Sequence, residues 1–505
     1  MRCTIAGAGP AGLSAGIALK RIVGRHCEVT IFDDNLKAET AGYGVIVNPI
    51  SLARCAGRGF RWPAAISAHV EQWNDIRVWA GVGQQALAQG HPSRAVQRSA
   101  ILHEMRNEAV SLGVELVPMA WQEPPPGARP AELVIDARGA GHRPTGRPKT
   151  DTSGGSELNA QPNASASGDP GPMHFAWFGT DRVLESLTFA FAESGRSLFT
   201  AHAYPYGPDR SSFIVEASAQ AWQAELGAWQ AELGAEAPSA AAAAGAVRQL
   251  CERLFVDVLQ GRPLAGNGVL RTFVPHRSQS WTTPGGAVLI GDRAHAAHFS
   301  VGSGTTMAID DGVALADQLA EQLAAKQPVS AAIESYTELR LRETDRIQAL
   351  ATRSFRWLAS VPMRRRYLSV PELTWSLVTR TGQGSVAKLR YHDPKLHEAL
   401  TACGRDRPRP EPGPVRELPL QACLEAPDLF AGAGQPALRI TAEQLTSGSK
   451  LSLIDLLESR FEQRVLSGQQ HVELALTASD LDWGQAQVLA GRASSVTAAN
   501  GVDQR

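Results

Sequence analysis

Three observations predict the fold class. A short apolar strand runs into Gly7-x-Gly9-x-x-Gly12 and then a helix. A second strand–glycine–helix unit lies near residue 290, and short alternating strands occupy the chain between the two. Together they predict an α/β protein: a Rossmann-like dinucleotide-binding domain, an interleaved mixed β-sheet domain and a C-terminal helical extension. A chain of 505 residues is too long for one small core, which agrees with several domains.

Composition narrows the class further. The apolar fraction of 43% and charged fraction of 20% are those of a globular protein. A net charge of -1 provides no global basic field, so neither nucleic acid nor an anionic membrane is expected as partner. Cys3, Cys27, Cys55, Cys251, Cys403 and Cys423 show no CxxC spacing, which fits reduced thiols in a cytoplasmic protein. No apolar run of about 18 residues occurs, and no basic segment leads into an apolar one at the start. Neither membrane span nor export signal is expected.

The first unit reads from Cys3 to Ala6 as strand and from Ala11 to Lys20 as helix, with Leu13, Ile17 and Leu19 on or near its inner face. Glycine at 7 and 9 lets the backbone turn and approach a pyrophosphate. Gly12 lets helix and strand pack, and the helix N-terminus faces the phosphate charge. The second strand, Glu28 to Phe32, ends in Asp33, where a carboxylate accepts hydrogen bonds from ribose hydroxyls. Asp34 reads as a surface acid. This turn does not distinguish FAD from NAD.

Residues 146–172 are rich in Gly, Pro, Ser and Asn and read as a flexible loop. TFAFAES, SLFTAHAYPY and SSFIVEA then alternate as strands of a substrate-covering sheet. His202 and Tyr204 are polar groups on one of those strands, each either orienting a substrate or satisfied in the core. AWQAELG occurs twice, at 221–227 and 228–234, and reads as a duplication lengthening a surface helix.

The second unit opens with Ala287 to Ile290, passes Gly291-Asp292 and enters a helix from Thr305. Ile309, Val313, Ala316, Ala320 and Leu323 recur along it at four and three spacing, and Pro328 marks its end. Asp292 can hold a polyol hydroxyl. Gly302 and Gly304 let backbone amides approach a flat ring with the positive helix end behind them. Reduced flavin, an anion at its pyrimidine edge, suits that geometry.

Gly291-Asp292, His295, Gly302 and Gly304 fit a GDAAHxxxPxxGxG pattern, and in it the chain resembles the single-component FAD-dependent aromatic hydroxylases, the para-hydroxybenzoate hydroxylase-like group A monooxygenases. Arg98, in RAVQRSAILHEM, is similar to the arginine that opens a helix near the flavin in that family. The resemblance implies a GR2-type FAD-binding domain, with FAD held by Gly7, Gly9, Gly12, Asp33, Arg98, Asp292, Gly302, Gly304 and Thr305. It also implies a transient visit by NADPH or NADH, and O2 converted to a flavin hydroperoxide that oxygenates an electron-rich ring.

Two departures stand out. In LVIDARGAGHR, Gly139 is kept but Arg138 replaces the acid of the family's Asp-Gly motif. Arg138 either neutralises a phosphate or occupies a relaxed position, the second being preferred. Phe299, preceded by His298, stands where the family has proline. AHFSVGSGTT, FAWFGT, HAYPYGPDRSSFIVEA and AGYGVIV are similar to a narrower branch, that of salicylyl-CoA 5-hydroxylase, 2-aminobenzoyl-CoA monooxygenase/reductase and the violacein-pathway tryptophan hydroxylase. TDRIQALATRSFRWL and LTWSLVTRTGQGSVAKLRYHDP look closer to its aryl-CoA members, so the resemblance covers roughly residues 1 to 396.

The expected organisation is a first FAD-binding segment at 1–145, the loop 146–172, and a sheet domain with a helical insert at 173–275. A second FAD-binding segment with C-terminal helices follows at 276–396, then a Pro-rich linker at 397–420 and a small extension at 421–505. ALRITAEQL and LSLIDLLESRFEQRVL read there as a strand and an amphipathic helix, a docking or dimerisation element. His298, beside the flavin, and Tyr204 are the candidate catalytic residues. An imidazole there could take a proton from a ring hydroxyl or amine, or it could be structural. His295 and His298 lack companion ligands, so no metal is expected. The expected function is NAD(P)H- and O2-dependent hydroxylation of an aromatic ring, an aryl-CoA thioester being favoured. The alternatives are oxygenation of a free indole or quinoline-like ring, and a non-catalytic flavin-binding partner.

Overall fold

The computed structural model describes residues 1–505 except 25, 37–42, 123–130, 140–172, 196, 234–238, 383, 406–414, 422–436, 443–444, 460–471, 477, 490–494 and 499–505. The expected loop 146–172 lies outside the described residues. Five parallel strands form the nucleotide-binding sheet, in the order Val288–Leu289, Leu133–Asp136, Arg2–Ala6, Glu28–Phe32, Glu115–Val117. Ile5, Val29, Ile31, Leu133 and Ile135 fill its core, as a parallel sheet covered by helices requires.

Helix Pro10–Ala18 follows the glycine turn with proline at its first position, where the missing N–H costs nothing. Ser14, in this otherwise apolar helix, donates to the Ile309 carbonyl at 2.7 Å. A Cβ on Gly312 would stand 2.4 Å from the Ala15 nitrogen. Small residues therefore bring helix Gly304–Ala324 directly against helix Pro10–Ala18. The two glycine-bearing units of the sequence become one wall of the fold.

The mixed sheet has the order Leu264–Ala265, Met173–Thr180, Arg210–Ser218, Ser197–Gly207, Leu187–Ser194, Glu71–Gly81, Gln84–Gln97, Gly44–Ile46. Along this path the pairing of Leu187–Ser194 with Glu71–Gly81 is parallel and the others are antiparallel. The three strands expected between 187 and 218 are members, and three more reach the sheet from the N-terminal 145 residues, which is the interleaving. Helices Ala219–Leu233 and Ala240–Leu254 cover its back. The first copy of AWQAELG has one buried side and one exposed side: Gln223, Ala224 and Gly227 face out, while Trp222 is 1% exposed, meets Phe199 edge-on at 4.9 Å and donates to the His174 carbonyl at 3.0 Å. The sheet's back needs that cover, because Phe199, Phe213 and Val215 point into it.

The C-terminal helical extension begins with Val329–Ala359 and continues through Val361–Tyr367, Val370–Val378, Val386–His392 and Pro394–Arg405. Among the described residues, no helix is long and apolar enough to cross a membrane. In the tail, strands Val415–Pro419, Ala437–Ala442, Val472–Leu476 and Ser495–Ala498 pair in parallel in chain order, with helices Ser447–Ser459 and Leu481–Leu489. Val415–Pro419 falls within the stretch expected as linker. The tail docks on the helices through an Arg353–Asp455 fork at 2.7 and 2.8 Å and Trp375 Nε1 donating to the Ala486 carbonyl at 3.0 Å.

Candidate active site

At the first helix N-terminus the three glycines have different tasks. Gly7 has φ +105, and a Cβ there would stand 2.5 Å from the Ala137 carbonyl oxygen; one on Gly12 would stand 1.9 Å from the Gly7 oxygen. These two are required by packing. Gly9 has no neighbour within 4 Å of such a Cβ, so it is the position open to a ligand. Asp33 is pinned beside it: its Oδ2 accepts from the Ala8 N–H at 2.6 Å and its Oδ1 from the Asn35 N–H at 2.7 Å.

Arg138 turns out to face an acid of its own. Its Nε and Nη2 donate to the two oxygens of Asp136 at 2.9 and 2.7 Å, and Arg293 Nε donates to the same carboxylate at 2.8 Å. Burial alone would raise the Asp136 pKa, but the two guanidiniums outweigh it and hold the carboxyl below its usual range. The arginine in the Asp-Gly motif and the arginine after Gly291-Asp292 are thus joined through one buried carboxylate.

At the second helix N-terminus, Gly291 has φ +61 and Asp292 is exposed at the strand end. Arg98 opens helix Arg98–Ser111, its backbone N–H donating to the Tyr43 carbonyl at 3.0 Å. Burial lowers the Arg98 pKa and the nearby Asp292 charge opposes that shift, so the two predicted cofactor residues lie within electrostatic reach of each other. Gly302, also at φ +61, leaves 3.1 Å between a Cβ and Ile46. Gly304 opens the helix with nothing within 4 Å, Thr305 follows it half-buried, and the buried Ser303 Oγ has no hydrogen-bond partner. Two open glycines at two helix N-termini, an acid at each strand end and an orphaned hydroxyl fit a dinucleotide carrying a flat ring.

Behind this loop, Asp311 binds three elements. Its Oδ2 accepts from the Gly291 N–H at 2.7 Å and lies 2.8 Å from His295 Nε2, and its Oδ1 accepts from Arg340 Nε at 2.7 Å. His295 is therefore a support of the loop. Asp311 and Arg340 are not among the residues expected from sequence; an acid within the apolar run MAIDDGVAL is the available signal.

On the sheet side, His298 is buried. Its Nδ1 accepts the Ser300 N–H at 3.3 Å and its Nε2 lies 3.2 Å from Glu216 Oε2. Glu216 Oε1 in turn lies 3.0 Å from His202 Nε2. Phe299 packs against Phe175 at 4.9 Å and His202 at 5.6 Å, and Phe273 meets His298 at 5.0 Å, forming an aromatic enclosure. Arg380 donates to the Ser300 carbonyl at 2.9 Å, and burial pushes its pKa down to about 10. Tyr204 lies on the same sheet, apart from this trio. It stacks on Trp73 at 5.9 Å, donates to the Gly44 carbonyl at 2.9 Å, and burial pushes its pKa up to about 12. Glu216 is likewise absent from the expected set, although an acid in the apolar run FIVEA is its sequence trace. A cleft of about 590 Å³ opens beside the loop, lined by Val47, Trp73, Gly302, Arg54, Arg94 and Arg346 among others.

An α/β domain with two open helix N-termini, set against a mixed sheet with an aromatic enclosure, defines a flavoprotein oxidoreductase class. No family model matches the chain. Salicyloyl-CoA 5-hydroxylase of Streptomyces sp is 33% identical over 358 residues, 71% of this chain; the match spans 65% of that relative's length. The 3-hydroxy-4-methyl-anthranilyl-[aryl-carrier protein] 5-monooxygenase of Streptosporangium sibiricum is 30% identical over 398 residues, 76% of this chain and 99% of its own. Protodeoxyviolaceinate monooxygenase of Chromobacterium violaceum is 27% identical over 396 residues, 75% of this chain and 94% of its own. Among solved structures, Pseudomonas aeruginosa PqsL in complex with 2-aminobenzoylacetate shares the fold, with TM-score 0.52 at 16% identity over 73% of this chain and 98% of its own. The chain belongs to the group A FAD-dependent aromatic monooxygenases, in the branch that holds these CoA-linked and secondary-metabolite hydroxylases.

Proposed function

We propose that this protein catalyses NAD(P)H- and O2-dependent hydroxylation of an aromatic ring carried on an acyl thioester, with FAD as its resident cofactor. The observation that carries the thioester is the substrate chemistry of two relatives. One acts on salicyloyl-CoA and the other on an anthranilyl group held by an aryl-carrier protein. When bound, FAD supplies electron transfer from NAD(P)H to O2 and delivery of one oxygen atom. Gly9, in the turn that Gly7 and Gly12 shape by packing, and Asp33 hold its nucleotide end. Arg98, Asp292, Gly302, Gly304 and Thr305 hold its ribityl chain and ring.

The cleft beside that loop supports a phosphate-bearing substrate. Arg54 is 3.4 Å from Asp310, while Arg94 and Arg346 have no ion-pair partner among the described residues. Two uncommitted guanidiniums at a cleft mouth suit a phosphopantetheine or nucleotide phosphate. Tyr204, through the Gly44 carbonyl, fixes the segment that packs under the ring loop. His298 belongs to the buried trio that handles the ring's proton. A second reading, a free indole-like ring, is favoured by the match to the protodeoxyviolaceinate enzyme.

The test is FAD content followed by NADPH oxidation in the presence of salicyloyl-CoA, free salicylate or indole. Stimulation by the thioester above that by free salicylate is expected. Stimulation by unesterified rings alone would move the assignment to the second reading. A colourless protein that cannot be reconstituted with FAD would overturn both.

A further inference from the structure

A buried carboxylate lies between two imidazoles on the sheet side of the ring loop. Glu216, His202 and His298 are 1%, 3% and 3% exposed, and the carboxylate reaches the two Nε2 atoms at 3.0 and 3.2 Å. The imidazoles are not equivalent. Because His298 Nδ1 accepts the Ser300 backbone N–H, a neutral His298 carries its proton on Nε2 and its one lone pair is taken by Ser300. Its Nε2 is buried 3.2 Å from Glu216 Oε2 without hydrogen-bond geometry. His202 also directs Nε2 at Glu216, but its Nδ1 has no hydrogen-bond partner among the described residues. The His202 ring lies between Phe189 at 4.8 Å and Phe299 at 5.6 Å, and Phe299 belongs to the ring-facing loop.

We propose that His202, and not His298, takes the proton from the substrate's ring hydroxyl or amine, with Glu216 as its orienting carboxylate. His298, with its Nδ1 lone pair held by Ser300, is then a fixed neighbour of Glu216. This inference rests on the ring-hydroxylation reading. In the step, the substrate's O–H or N–H bond breaks and His202 Nδ1 binds the proton. The electron pair left behind moves into the ring and makes the carbon to be oxygenated more nucleophilic. The imidazolium formed is balanced by Glu216, so the trio passes from one negative charge to none instead of acquiring a bare buried cation. The proton leaves to water as product departs. Arg380 is a further charged group nearby among the described residues; it lies 5.3 Å over the Phe189 ring and donates to the Ser300 carbonyl.

The experiment compares the FAD-loaded wild type with His202→Gln, His298→Gln and Glu216→Gln. One readout is the pH profile of salicyloyl-CoA-stimulated NADPH oxidation and ring hydroxylation. The other is ¹⁵N-histidine NMR of the protein without substrate, which reports the nitrogen that carries each proton. The expected result is that His202→Gln lowers hydroxylation about 100-fold or more and abolishes the acidic limb of the profile. His298→Gln costs about tenfold or less and keeps the limb. In the spectra His298 carries its proton on Nε2, and His202 carries its proton on Nε2 with Nδ1 bare. A limb that survives in His202→Gln and vanishes in His298→Gln overturns the assignment, as does the reverse NMR pattern. If no aryl probe stimulates oxidation, the hydroxylation reading fails on its own and the spectra still decide where the proton sits. Should Glu216→Gln fail to fold, the two histidine variants remain the deciding comparison.

Discussion

Glu216 holds a negative charge where 1% of its surface meets water. Burial alone would raise its pKa, but the His202 and His298 imidazoles facing it outweigh that and hold the carboxyl well below the usual range. A carboxylate depressed in the folded state contributes stability that is fully present above the ordinary glutamate value of about 4.3. That contribution is lost as the pH falls through the folded value. Glu216→Gln is therefore expected to be less stable at pH 7 by about 3 kcal/mol, with the difference shrinking in acid. Urea titrations at neutral pH and below the ordinary glutamate value check this, and an equal loss at both contradicts it. Gly9 gives a second residue-scale prediction. Its φ of -75 suits any residue and a Cβ meets nothing within 4 Å, so Gly9→Ala should keep the melting temperature within about 2 °C. It should weaken FAD binding about tenfold or more, because the methyl occupies the approach to the pyrophosphate. Gly12→Ala, with its Cβ 1.9 Å from the Gly7 oxygen, should fail to fold. Thermal melts with FAD titration separate the two outcomes.

Helix Gly304–Ala324 anchors the preceding loop through Asp311, and under the proposed function its N-terminus would face the cofactor. Burial alone would raise the Asp311 pKa, while His295, Arg340 and the Gly291 N–H together lower it. Asp311→Asn leaves Arg340 and His295 short of a counter-charge. The expected cost is about 3 kcal/mol with loss of FAD retention, read by denaturation and by the flavin released on gel filtration. A variant of unchanged stability that keeps its flavin would contradict the role given to this helix. At this scale the sequence is informative where the signal is local. The glycine turn, the acid after strand Glu28–Phe32 and the helix after Gly302 each lie within one strand–turn–helix unit. Arg98 at its helix start is legible only through family resemblance. Contacts made by pairing are hidden. Glu216 meets His202 because two strands run antiparallel, and it meets His298 because a loop 82 positions further along folds back onto the sheet. The link from Arg138 to Arg293, 155 positions away, is hidden for the same reason, because the two arginines share Asp136 only in three dimensions. AWQAELG reads as part of a surface helix, with Trp222 in it, because periodicity alone does not reveal which side of a helix a sheet will cover.

For the molecule as a whole, the parallel sheet and the mixed sheet meet along the loop from Gly291 to Gly304. The parallel sheet supplies glycines, acids and helix ends suited to a dinucleotide. The mixed sheet supplies the aromatic enclosure and the His202–Glu216–His298 trio, and the C-terminal helices close the far side through Arg380 and Ser354, which both bond Ser300. The tail sheet bears on the same helices through Asp455 and Ala486. The most direct measurement supplies the FAD-loaded protein with NADPH, salicyloyl-CoA and ¹⁸O-labelled dioxygen and analyses the thioester by mass spectrometry. The account predicts one labelled oxygen atom in the aromatic ring. NADPH consumed with the ring unchanged and all label recovered in peroxide or water would contradict it.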